Sequence, residues 1–152
     1  MNTTDHLVAA ALVGIGLGVL TSPLMTVVAP VLVVLGDRIP DLDQNLGTHR
    51  KTLHNVWLPT LVALGAVPVL VGFWEPPAAL STVPWVATGY ATHLLVDGLG
   101  SRRGVALLYP ISDTEWQSAG GVAVNDPRAT LASVTVAGMI LGVVVPVMVV
   151  VG

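Results

Sequence analysis

The chain contains no cysteine, so neither a disulfide nor a thiolate metal ligand is open to it. Charge is scarce as well: 10% of residues are Asp, Glu, Lys or Arg, against about 25% in an ordinary soluble domain. With 53% hydrophobic residues and a mean hydropathy of +0.81, the 152 residues hold too few polar groups to cover a soluble surface. The composition is that of an integral membrane protein, with length for one domain. Basic residues are few, and a net charge of −3 excludes the basic face of a nucleic-acid binder. The N-terminal MNTTDH has no Lys or Arg, unlike the basic start of a secretory signal, so the first apolar run is expected to remain in the mature protein. With four His and nine acids as donors, any metal site is built from nitrogen and oxygen.

What is present comes as apolar runs separated by short polar stretches. Leu7 to Leu20 and Leu24 to Gly36 flank Thr21-Ser22-Pro23. At about 1.5 Å per residue each half covers roughly 20 Å, short of a ~30 Å hydrocarbon core, whereas one continuous helix of roughly 45 Å is too long. Proline removes a donor and disfavours helix just before it. A hairpin of two short, partly penetrating helices is therefore preferred over one kinked span. Leu53 to Phe73 has spanning length, with Pro59 and Pro68 as kink positions, and Glu75-Pro76-Pro77 is a turn. Ala79 to Asp97 crosses back and ends in Gly98-Leu99-Gly100, a helix-stop pattern. Ser101 to Arg128 is polar and Gly-rich, Asn125-Asp126-Pro127 reads as a helix start, and Thr130 to Val150 is a last span.

The expected fold class is an all-α integral membrane protein, one membrane-embedded domain over residues 1–152. It has a short N-terminal helical hairpin plus three transmembrane helices, with a metal site at the cytoplasmic end. All six basic residues (Arg38, Arg50, Lys51, Arg102, Arg103, Arg128) fall on the side where the hairpin places His6 and Asp37, and the opposite loops carry only Glu75. By the positive-inside rule that side is cytoplasmic.

The polar residues converge on that side. Gly36 to His54 holds Asp37, Asp41, Asp43, His49 and His54. His93 and Asp97 are four apart on one helix face and can reach one ion, with Gly89 and Tyr90 on or near the same stripe one turn earlier. An ionisable group inside a membrane helix costs on the order of 2.5–3.5 kcal/mol on the lenient scale and marks function by default. Each residue also has a plainer reading: a wet interfacial pair for His93 and Asp97, a solvated Asx turn for the acidic loop, a surface imidazole for each lone His. His49 fits a loop and His54 the first turn of the following helix, which Thr48 or Thr52 caps. The predicted metal ligands are His6, Asp37, Asp41, His49, His54, His93 and Asp97. Asp43 and Asp41 are the candidate catalytic acids, Asp43 alternatively holding a histidine in place. Two divalent cations, drawn from Zn²⁺, Mn²⁺ or Fe²⁺, suit this donor set and offset about four negative charges. Arg50, Arg102 and Arg103 are candidates for holding an anionic substrate, guanidinium being a bidentate partner of phosphate; topology-setting charge is their equal alternative.

In His6, GDRIPDLD (36–43), HRKTLH (49–54), GYATHLLVD (89–97) and GVALLYP (104–110), the chain resembles the YdjM-like family of LexA-binding, inner-membrane-associated metal-dependent hydrolases. The match is ordered and leaves only the last span without a motif. Where the family usually has Thr before its second motif His, this chain has Leu53. The H-x-x-x-D pattern is also similar to a ligand pair of zinc-dependent phospholipase C and its nuclease relatives, an analogy of fold level only.

Three functions compete. One is a membrane-bound metal-dependent hydrolase, a phosphoesterase on lipid or lipid-linked substrate, using metal-activated water. The second is a non-enzymatic membrane adaptor whose metal is structural and whose 98–129 segment docks a cytoplasmic regulatory protein, as the family's repressor contact implies. The third, a metal transporter, needs ionisable groups near mid-membrane; here they gather at one end, and Thr130–Val150 has none.

Overall fold

A computed structural model describes residues 2–46, 50–61, 76–123 and 125–151. Within these the chain is helical: α1 (Thr3–Thr21), α2 (Pro23–Arg38), a 3-10 turn (Pro40–Leu42), α3 (Asp43–Leu46), α4 (57–61), α5 (Pro76–Gly100) and α6 (Ala129–Val151). Among the described residues there is no strand, only isolated bridges pairing Ser101 with Val122 and Val105 with Trp116.

Capping sets the helix limits. The Asn2 side chain accepts from the Asp5 backbone while Asp5 accepts from Asn2, so α1 starts four residues before the apolar run. At Thr21–Pro23 one extended residue, Ser22, serves two helices. Its N–H closes α1 on Gly18, its hydroxyl accepts from Met25, and Pro23 supplies the preset first turn of α2. The chain reverses there, with Gly14 against Pro30 and Gly18 against Met25. Both helices are longer than the apolar runs alone suggest. α1, the stretch Pro23–Leu42 and Ala129–Val147 are each long and apolar enough to cross a membrane. α5 has the length but carries His93 and Asp97 and is not among these. Most of the span expected at Leu53–Phe73, with Pro68, lies outside the described residues, as does Glu75; Pro76 and Pro77, expected in a turn with it, instead open α5, where proline fits the first turn of a helix.

Membrane helices associate through close backbone approach at small residues rather than through hydrophobic drive. The core follows that rule: Ala9, Val13 and Leu17 of α1 meet Val96 of α5 and Ala129, Val136 and Ala137 of α6. The α2–α5 crossing is closer still. A Cβ on Gly36 would overlap the carbonyl oxygen of Val86, and one on Gly89 would overlap that of Val33. Gly36 adjoins Asp37 and Gly89 stands one turn before His93, so this contact sets the distance between the two site residues. Beyond α5, the Gly98-Leu99-Gly100 end holds, and Asp126 accepts from the Arg128 backbone ahead of α6.

Gly89→Ala and Gly36→Ala are each expected to destabilise the protein in detergent by about 1–3 kcal/mol, the range for overpacking. Gly142→Ala, where a Cβ meets nothing within 4 Å, should leave the thermal midpoint unchanged.

Candidate metal centre

Six of the predicted ligand or catalytic side chains meet in one buried cluster. His6 comes from the first turns of α1, Asp37 from the last turn of α2, Asp43 from the start of α3, His54 from the turn before α4, and His93 and Asp97 from α5. Their side chains are between 0 and 4% exposed. Asp41, in the 3-10 turn, joins them at 23%. His49 and the Thr48 cap lie outside the described residues.

Asp37 stands between two imidazoles: its Oδ1 is 3.7 Å from His6 Nδ1 and 3.5 Å from His93 Nδ1. The two rings are stacked, with centroids 3.9 Å apart and planes 14° from parallel. His93 turns its other nitrogen to a second group, 3.2 Å from His54 Nε2, 3.8 Å from Asp41 Oδ1 and 3.9 Å from Asp97 Oδ2. Asp97 spans both groups, with Oδ1 3.2 Å from His6 Nε2 and Oδ2 3.6 Å from His54 Nε2.

The Asp43–His54 pair fixes a tautomer. Asp43 Oδ2 lies 2.9 Å from His54 Nδ1 and accepts the Leu53 N–H at 3.2 Å. A carboxylate only accepts, so Nδ1 carries the proton and Nε2 offers its lone pair to the centre. This carboxylate–imidazole arrangement is the usual support behind a metal-binding histidine.

Four buried side-chain atoms among the described residues have no hydrogen-bond partner: His6 Nδ1, His93 Nδ1 and both oxygens of Asp37. Such atoms are costly unless something else engages them. All four belong to the set His6, Asp37 and His93; a second set is Asp41, His54 and His93. In each, ligand atoms lie within 4.8 Å of one another, so either could hold a metal ion. Two donors about 2.0–2.1 Å from one ion stand roughly 3–4 Å apart, the spacing seen here. The residues fit a divalent cation.

The cations sort differently from expectation. Arg50, at φ 67, turns inward: it donates to the Arg103 carbonyl at 2.8 Å, to Ser101 Oγ at 3.2 Å and to Asp97 Oδ1 at 3.3 Å. It thereby steadies Asp97. Arg102 and Arg103 are exposed, Arg102 donating to the Gly121 carbonyl at 3.4 Å. Lys51 pairs with Asp113 at 2.8 Å, which raises its amine pKa and ties the 50–56 turn to the loop after α5.

Three supports were not read from the sequence. The Tyr90 phenol OH reaches the carbonyls of Leu53 and Asn55, on either side of His54. Asn55 accepts from the Trp57 and Leu58 amides and donates to the Lys51 and Thr52 carbonyls. Asp5, buried beside His6, accepts from Thr130 at the start of α6. Of these only Asp5 has a signature readable along the chain, through its capping pair with Asn2.

Tyr90→Phe removes one hydrogen bond behind His54. We expect a loss of about 1 kcal/mol in stability and faster hydrogen exchange confined to the amides of residues 53–58.

Comparison with curated proteins and with solved structures gave no match. A family profile described as YdjM inner membrane protein matches residues 1–151. The site-bearing segments and the apolar helices between them all fall within that match, and the chain belongs to the YdjM inner membrane protein family.

Proposed function

We propose that the protein is a membrane-embedded, metal-dependent hydrolase, a phosphoesterase acting on lipid or lipid-linked substrate at the cytoplasmic interface. The observation that carries this reading is the set of buried, unpartnered donor atoms of His6, Asp37 and His93 beside a partly exposed Asp41. A purely structural polar cluster would have satisfied its own hydrogen bonds.

Two divalent cations, Zn²⁺, Mn²⁺ or Fe²⁺, share the cluster in this reading. A neutral imidazole has one lone pair to give, so His93 would hold one ion only, while Asp97 presents an oxygen to each group of side chains. His6 and Asp37 complete one set, and Asp41 and His54 the other; His49 remains a candidate ligand. Bound there, such ions polarise a phosphoryl oxygen and acidify water. Asp41, the ligand carboxylate that solvent reaches, takes the proton of the attacking water. Asp43 orients His54, a role its two bonds to Leu53 and His54 favour over that of base. Arg50 holds Asp97 in register, while Arg102 and Arg103 are exposed on the loop after α5, Arg102 bound to the Gly121 carbonyl. α1 and α2 enter the bilayer as a hairpin from the cytoplasmic side, where all six basic residues gather.

The test is lipid phosphoester cleavage by protein in nanodiscs, with elemental analysis alongside. We expect two metal ions per chain, lost in Asp37→Asn and His93→Ala together with at least about 100-fold of activity; Asp43→Asn should weaken metal binding by about 10–100-fold. Fully metal-loaded protein that cleaves no phosphoester would remove the enzyme reading. Because the chain lacks cysteine, Thr114→Cys reports the orientation directly: in intact cells it should react with membrane-permeant maleimide only.

One feature favours a second reading. Near-complete burial of most of the cluster suits a structural ion, with the exposed loop after α5 docking a cytoplasmic regulatory protein. An ion with no exchangeable water position, seen spectroscopically, would select that adaptor role.

A further inference from the structure

Among the described members of the cluster, appreciable exposure is confined to one place. Of these only Asp41 is exposed to any extent, at 23%. Beside it, Arg38 is 31% exposed, its Nη1 4.0 Å from Asp41 Oδ2, and Gln44 donates to Asp41 Oδ1 at 3.0 Å. Arg38, Asp41 and Gln44 therefore surround the mouth of the site, and none of the three arginines expected to bind substrate does.

Arg38 differs from the other paired cations. Arg50, Lys51 and Arg128 are engaged in ion pairs of 2.8 to 3.3 Å. Arg38 has a looser contact, at the limit of an ion pair, and that contact is with the carboxylate at the mouth. A guanidinium so placed retains most of its donors for an incoming anion.

The surface leading to it is apolar. Leu24, Val27, Val31 and Leu35 are all more than half exposed. Their spacing of three or four residues puts them on one face of α2, and the next step along that face is Arg38. From Leu24 to Arg38 the stripe is roughly 21 Å long at 1.5 Å per residue, enough to accompany an acyl chain through one leaflet of roughly 15 Å. Leu42, also exposed, follows at the mouth. An apolar track ending in a cation has the same polarity as an anionic lipid: chains along the track, headgroup at its end.

We propose that Arg38 receives the anionic headgroup of a membrane lipid whose acyl chains lie along the outward face of α2, setting that headgroup beside Asp41. The inference deepens the hydrolase reading by naming its substrate class, an anionic amphiphile arriving laterally from the bilayer, and it rests on that reading for anything that follows binding. A soluble phosphate ester would use the guanidinium but gain nothing from the track.

The test is retention of phosphatidylglycerol and of phosphatidylcholine by the full-length, metal-loaded protein, read by native mass spectrometry. Wild type should retain phosphatidylglycerol selectively. Arg38→Gln should lose about tenfold in that retention, the scale of a charge-assisted hydrogen bond. Arg38→Lys should fall between the two, and Arg102→Gln should match wild type, with metal content unchanged in every variant. Wild-type retention by Arg38→Gln, equal retention of phosphatidylcholine, or displacement of the lipid by an equal concentration of glycerol phosphate would each overturn the proposal. Selective, Arg38-dependent retention without cleavage would overturn the hydrolase reading and leave the headgroup site standing.

Discussion

The constraint on which the rest of the structure depends is the burial of carboxylates among apolar helices. Asp37, Asp43 and Asp97 are all but inaccessible, in a chain with little charge to spare. An isolated carboxylate in such surroundings is far too costly to keep ionised, so it is neutralised, paired or bound to metal. The protein answers with imidazoles on three sides and one inward guanidinium, Arg50. Asp43 and Asp97 are satisfied in this way. Asp37 has only ring nitrogens beyond hydrogen-bond distance, and this is what gives the cluster the character of a binding site rather than a salt-bridge network.

Positioning these groups requires the helices to approach more closely than ordinary side chains allow. Gly36 and Gly89 remove the Cβ atoms that would separate α2 from α5, each one turn or less from Asp37 or His93. The same small-residue logic joins α1 to α2 through Gly14 and Gly18. Packing and chemistry are therefore coupled along the sequence: the residue that lets two backbones touch lies next to the one that carries the donor atom.

Much of this was legible in the residues. The four-residue spacing of His93 and Asp97 put both on one face. The acids at 37, 41 and 43 were singled out too, but not as the extended loop expected: they stand on the last turn of α2, a 3-10 turn and the start of α3, because Ile39 and Pro40 continue in helical conformation. The placement of His6 next to Asp37 followed from the Ser22-Pro23 break. What escaped reading was three-dimensional. Arg50 is drawn inward by Asp97, Ser101 and the Arg103 carbonyl, none of which neighbours it in sequence. Asp43 and His54 are 11 residues apart and face each other beside a turn that Tyr90 and Asn55 hold at residues 52–55. The length of α1 was underestimated because hydropathy sees Leu7 as the start, whereas the Asn2–Asp5 cap begins the helix earlier.

The hydrogen bond from Thr130 to Asp5 links the opening turn of the first helix to the opening turn of the last. During synthesis, α1 reaches the bilayer long before its partner exists. The imidazole adjacent to Asp5 must then await more than a hundred further residues before its helix is anchored at both neighbours. A nascent chain lacking α6 already carries every described residue of the cluster, but the first turn of α1, beside His6, is without the Thr130 bond that ties it to the last helix.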